Sequence, residues 1–213
     1  MDAHKGNRVK AGDDVRVDGE PLKKKKASVY IAFNKPKGVT CTTDLKDKTN
    51  IVDFINYKTR IFPIGRLDKL SSGLIFMTND GDIVNKILRS GNGHEKEYIV
   101  TVDKSIDLNF INKMRNGVKI LGTQTLKCFV KQEGDLKFRI ILKQGLNRQI
   151  RRMCESLGYN VTSLTRIRIM NININGIQPG KWRYFTNNEL STLLESIKDS
   201  NNSHEKNEDA LGE

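Results

Sequence analysis

Three short stretches of this chain carry side chains able to do chemistry. In Gly65-Arg66-Leu67-Asp68, followed by Ser71, Gly73 and the apolar run Leu74-Ile75-Phe76-Met77-Thr78, a carboxylate stands on a loop just before a buried-strand pattern. A rigid strand can hold such a loop acid at a surface cleft, a placement that suits catalysis. Asp is also a preferred turn residue, so on spacing alone the plainer reading leads: Asp68 capping a turn through Ser71-Ser72. In Asn147-Arg148-Gln149-Ile150-Arg151-Arg152-Met153, the arginines fall on adjoining faces of a helix, while Ile150, Met153 and Leu157 form its buried stripe. Arginines at a helix start grip phosphate or pair with a carboxylate through two parallel hydrogen bonds; a solvated basic face explains the pattern equally well. In Lys96-Glu97-Tyr98-Ile99-Val100, Tyr98 sits in a strand pattern, where tyrosine ordinarily packs on the sheet. Its functional use would be stacking on an unpaired base.

Other catalytic patterns fail. The chain has no Walker-type phosphate loop and no G-x-S-x-G elbow. His4, His94 and His204 are scattered and Cys41, Cys128 and Cys154 lack ligand spacing, so no metal site is expected. Catalysis would fall to carboxylate, Arg and Tyr. A glycosidase-like reading needs a second catalytic acid, and none is marked out beside Asp68.

The elements that must position these residues read as long β segments broken by a few helices. Val29-Tyr30-Ile31-Ala32-Phe33 is an apolar run ending at the turn Asn34-Lys35-Pro36-Lys37-Gly38. Helices are expected over 82–89, 108–116 and 148–157, the last stopped by Gly158, and strands over 74–78, 97–102 and 159–174. Residues 124–130 and 137–143 read as a strand pair about the turn Glu133-Gly134-Asp135. A short strand is expected near 182–185, and Asn188 is expected to cap a last helix ending near Lys198. Residues 7–22 alternate apolar and polar positions with a turn signal at Asp18-Gly19, a β fragment too small to fold alone. The pattern implies an α+β fold with a mixed or antiparallel sheet. Its expected divisions are a fragment over 1–22, a basic linker over 23–28, a main domain over 29–198 and a disordered tail over 199–213.

The net charge of +12 and pI near 9.6 point to an anionic partner. No apolar run approaches the roughly 20 residues that span a bilayer, and the first ten residues lack the apolar stretch of a secretory signal. Nucleic acid therefore fits better than membrane. Three separated cysteines suggest reduced, packed thiols in a cytoplasmic protein. No large apolar face is left over, so a monomer is expected. A non-catalytic RNA-binding assembly factor would account for the charge, but not for GRLD and the arginine helix together.

GRLD with S-x-G-L and TNDG downstream, the K-x-Y-x-V strand and the N-R-Q-I-R-R-M helix, in this order, resemble the RsuA-type ribosomal RNA pseudouridine synthases. The RluF branch is nearest, on GRLDKLSSGLIFMTNDGDIVNKIL, HEKEYIVTVDK, KILGT, QGLNRQIRRMCE and the stretch RIRIMNI-GI-GKWR. The likeness covers about residues 29–197. It implies the pseudouridine synthase fold, with residues 7–20 resembling only the final strands of the S4-type RNA-binding domain that usually precedes it.

The resemblance also implies the chemistry. Asp68 would be the catalytic aspartate, acting as nucleophile or base while the C–N glycosidic bond breaks and a C–C bond forms after the base rotates. Arg151 would pair with Asp68 and keep it charged, through a bidentate contact. Tyr98 would stack on the uracil and help move its proton, and Leu164 would pack against the flipped base. Arg66 would fill the gap left in the RNA or hold the phosphate beside it, with Arg148 as a further substrate contact. Lys35, in the NKPKG turn, matches the family's first motif, at the substrate-binding site and supporting it rather than reacting. No cofactor or metal is implied. The partner would be RNA, a uridine of 23S rRNA first and a tRNA position second, extruded from its helix at a few kcal/mol.

Overall fold

The computed structural model describes residues 15–18, 20–21, 27–88 and 93–198. The expected tail, the lysine run at 23–26 and the first fourteen residues lie outside the described residues. Of the N-terminal fragment, β1 (Arg16–Val17) and β2 (Glu20–Pro21) form a small antiparallel ladder. Asp18 turns the chain there at a positive φ of 52°, a conformation Asp tolerates better than most residues.

The remaining elements follow as β3 (Tyr30–Lys35), α1 (Ile51–Ile55), β4 (Phe62–Ile64), β5 (Ser72–Thr78), α2 (Asp82–Leu88), β6 (Lys96–Val102) and α3 (Leu108–Asn116). Then come β7 (Lys119–Ile120), β8 (Thr123–Gln124), β9 (Phe129–Gly134), β10 (Lys137–Leu142), α4 (Gln149–Ser156), β11 (Val161–Ile169), β12 (Ile172–Asn173), β13 (Trp182–Tyr184) and α5 (Asn187–Ser196). Among the described residues, nine strands share one sheet in the order β13-β3-β5-β11-β6-β10-β9, with β12 beside β11 and β4 beside β5. Every pairing is antiparallel except β5 with β11, so the sheet is mixed and the fold α+β, as expected.

That parallel seam covers only Thr165 opposite Ser72 and Arg166 opposite Gly73. Beyond it β4 takes over the edge of β5, from Ile64 opposite Phe76, and the sheet forks. Gly73 is required at the seam. Its φ is +108°, and a Cβ there would meet the backbone of Arg166, its nitrogen at 2.6 Å.

Three apolar clusters hold the sheet. Ile51 and Ile55 of α1 pack with Ile31, Phe33, Ile75 and Met77. Phe110 and Met114 of α3 join Ile150, Met153 and Cys154 of α4 over Val100, Phe138 and Ile140. Ile83 and Ile87 of α2 and Leu193 of α5 cover Leu74, Phe76 and Ile169. Each such side chain stabilises the fold by about 1.5–3 kcal/mol when fully buried. Tyr98 touches the first two clusters and so sits between them.

Several details differ from the sequence reading. The strand expected over 124–130 is absent as one piece, since β8 ends at Gln124 and β9 begins at Phe129, and the one expected over 159–174 is broken by a turn between β11 and β12. The last helix is capped by Thr186, not Asn188: Thr186 Oγ1 accepts from Glu189 N at 3.1 Å, and the Glu189 carboxylate accepts from Thr186 N at 2.8 Å. Helix α1 was not expected, because five residues are too few to show a period; Asn50 Oδ1 caps it by accepting from Asp53 N. All three cysteines are free, with Cys41 and Cys154 buried and Cys128 half-buried. Burial pushes the Cys154 thiol up to about 12 and Cys128 up to about 11, so neither is a ready nucleophile.

Candidate active site

The turn that carries Asp68 is closed by backbone, not by its carboxylate. Ser71 N donates to Asp68 O at 2.9 Å, and Gly38 N donates to Lys69 O at 2.8 Å. Beneath the turn lies Lys35, fully buried, with Nζ donating to the carbonyls of Pro36 and Val39 at 2.9 Å and of Lys69 at 3.5 Å. Its three donors are used, which compensates a buried ammonium; burial lowers its pKa, opposed in part by the nearby Asp68 carboxylate. A side chain with no exposed surface cannot reach RNA. The substrate-binding assignment of Lys35 is therefore corrected: it clamps the two loops that meet under Asp68, in line with the supporting role of its motif.

The Asp68 carboxylate, its side chain 36% exposed, faces two arginines. Arg148 Nη1 is 3.5 Å from Asp68 Oδ2 and Arg151 Nε is 3.7 Å from the same oxygen. The bidentate contact expected of Arg151 is absent for a plain reason. Its Nη1 donates to Val161 O at 3.1 Å and its Nη2 to Ser71 Oγ at 3.3 Å, leaving only Nε toward Asp68. Arg151 is thus fixed by the sheet and by the Asp68 turn at once. Arg148 is the N-cap of α4, with a left-handed backbone (φ 48°) and no side-chain cap bond. Non-glycine residues held there store strain that tends to cluster at functional sites. The third arginine, Arg152, bends back to Asn147 and does not join the pair.

Asp68, Arg148 and Arg151 stand at the wall of a cleft of about 890 Å³ that also receives Arg66, Tyr98 and Leu164. Six of the seven expected site residues thus line one cavity, and Lys35 alone does not. Leu164 is buried in the floor. Tyr98 lies beside it, opposite Arg166 in the neighbouring strand, and its hydroxyl has no hydrogen-bond partner among the described residues. Arg66 is exposed at the rim and makes no ion pair or hydrogen bond among the described residues.

Three further cations line the cleft that the sequence reading did not single out, the exposed Lys69 and the more enclosed Lys96 and Arg166. Arg166 is buried, with Nε donating at 2.6 Å to Leu74 O, a carbonyl just past the paired seam where the sheet forks. The signal available in sequence was strand alternation: Lys96 stands two residues before Tyr98, and Arg166 two after Leu164.

An acid held between two arginines, an aromatic ring, an apolar floor and a loose rim arginine form a site for a flat base on a polyanion. The profile of the RNA pseudouridylate synthase family matches residues 29–156, which include Asp68, Tyr98 and Arg151. Over 197 residues the chain is 57% identical to the dual-specificity RNA pseudouridine synthase RluF of Escherichia coli strain K12, covering 92% of this chain and 68% of that one. The chain belongs to the RsuA-type RNA pseudouridine synthases. Members of this family are isomerases. The ribosomal large subunit pseudouridine synthase B of Bacillus subtilis strain 168 is 31% identical, over 88% of this chain and 80% of that one. A solved structure described as a pseudouridylate synthase superposes with a TM-score of 0.74 at 26% identity, covering 88% of this chain and 83% of that one. The mixed sheet and its cleft are therefore the pseudouridine synthase fold.

Proposed function

We propose that this pseudouridine synthase isomerises a uridine of structured RNA, 23S rRNA first and a tRNA second, with Asp68 as the catalytic carboxylate. One observation carries the assignment: the Asp68 carboxylate is left out of its own turn and held toward the cleft by Arg148 and Arg151. Arg151 keeps the acid aimed. Tyr98 stacks on the extruded uracil, Leu164 packs against it, and Arg66 fills the vacated gap or holds the flanking phosphate. Arg148 shares its guanidinium between Asp68 and the backbone phosphates. Positioning and fixed charge lower the barrier to C1′–N1 cleavage, since no group enters or leaves overall. The dual specificity for which the RluF relatives are named supports the two substrate classes. Residues 1–22 supply the end of an S4-type module, 29–198 the catalytic domain and 199–213 a tail without catalytic part. The enzyme works as a cytoplasmic monomer, where its RNA is made.

Tritium release from 5-tritiated uridine tests this on free rRNA, ribosomal subunit precursors and tRNA. Release from rRNA by the wild type supports the reading. Silence on all three overturns it and favours a basic RNA-binding assembly factor.

A further inference from the structure

The cleft holds more cationic charge than Asp68 accounts for. Arg148 and Arg151 face that carboxylate, yet Lys96 and Arg166 also line the cleft and pair with no acid among the described residues. Lys96 Nζ donates only to His94 O at 3.3 Å, which leaves two of its three donors unused. Arg166 is 4% exposed, and its Nη2 has no hydrogen-bond partner among the described residues. A buried donor left unpaired costs about 1–3 kcal/mol and calls for a compensating group.

The strand register gives these cations a direction. Arg166 lies between Gly73 and Tyr98, while Lys96 lies opposite Ile169, on the fork side of Tyr98. Asp68 is at the other end, just before β5, beside the arginine that bonds Ser71 and Val161. Lys96 and Tyr98 are alternate residues of one strand, so both side chains project to one side about 7 Å apart. A pyrimidine stacked on Tyr98, with its glycosidic bond toward Asp68, turns its far edge to Lys96. Across the uracil ring from N1 stands C4, bearing O4.

We infer that Lys96, backed by Arg166, receives the carbonyl of the target base opposite its glycosidic bond, which both selects uracil and stabilises it as it detaches. This rests on the proposed pseudouridine synthase activity. When C1′–N1 breaks, the electron pair stays with the base and spreads over N1, O2 and O4. The base then turns half a revolution about the N3–C6 axis, which brings C5 to the place of N1 and O2 to the place of O4. A carbonyl therefore faces Lys96 before and after the turn. C5 bonds to C1′, its proton leaves and N1 gains one, so nothing is oxidised or reduced. Cytosine carries an amino group at C4 and would set donor against donor. Burial and then the Arg166 charge lower the Lys96 pKa, strain that an anionic oxygen would relieve.

The test uses an RNA hairpin that the wild type is shown to modify, made with uridine, 4-thiouridine or cytidine at the target. Lys96→Met should slow single-turnover product formation about 100-fold, while the Kd for the hairpin stays within about two-fold. Lys96→Arg should recover most of the rate. Sulfur at C4 should slow the wild type and add little further loss in Lys96→Met, because one contact is removed either way. An unchanged rate in Lys96→Met, a full thio effect persisting in that variant, or equal wild-type rates on uridine and 4-thiouridine would each overturn the inference. The last comparison needs no variant to fold. No product from the wild type on any RNA would instead overturn the activity itself.

Discussion

The two sides of β6 use charge in opposite ways. Glu97, between Lys96 and Tyr98 and pointing the other way, is bound to the Arg139 guanidinium and to Arg168 Nε at 2.6 Å. Arg139 Nε also takes Glu133 at 2.8 Å, and Arg168 Nη2 takes Glu95 at 3.0 Å. On the cleft side the corresponding contacts are long or missing: 3.5 and 3.7 Å at Asp68, none at Arg66, two idle donors on Lys96 and an unpaired Nη2 on Arg166. Closed networks fix a structure, whereas open ones leave donors for something that arrives. The difference separates scaffold from site within a single strand.

The largest effect should come from the seam that joins the two sides. Gly73→Ala forces a Cβ into the Arg166 backbone at a positive φ, and should destabilise the protein by about 3 kcal/mol with loss of activity, read by thermal melting. A melting temperature equal to the wild type would show that the seam yields.

Glu97→Gln should cost about 2 kcal/mol of stability and leave the turnover rate per folded molecule unchanged, because it opens only the closed network. Burial alone would raise the Glu97 pKa, but the hydrogen bonds from Arg168 and Arg139 outweigh it and hold it below its usual 4.5. A depressed carboxylate stabilises the fold above its unfolded pKa, and that stability is lost as pH falls through the folded value. The wild type should therefore lose stability below about pH 4.5 more steeply than Glu97→Gln, in urea titrations across that range.

The smallest effect should be at the rim. Arg66→Ala should weaken RNA binding about ten-fold with no change in melting, and reduce the slope of log K against log salt by about one. A loss of stability there would mean that Arg66 belongs with the paired side.

The sequence carried the fold well where patterns were long. Leu108–Asn116 lies where its amphipathic pattern placed it, and the apolar runs at β3, β5 and β6 became central strands. It carried the site less well, because spacing alone could not decide between a capping and a catalytic Asp68. The fold shows that the Asp68 carbonyl closes the turn, which leaves the carboxylate free for the role proposed for it. Lys35 reads from its motif as a supporting residue at the substrate site, but that three carbonyls bury it away from substrate is visible only in the fold. Lys96 and Arg166 gain meaning only when the fork in the sheet places them beside Tyr98 and Leu74.

The most direct measurement compares Asp68→Asn with the wild type in three readings on one preparation: melting temperature, rRNA affinity and pseudouridine formed. The account predicts melting and affinity close to wild type and no pseudouridine, since the carboxylate props up no turn and meets only two long arginine contacts. Wild-type levels of pseudouridine from Asp68→Asn would contradict it and move the chemistry to another residue of the cleft.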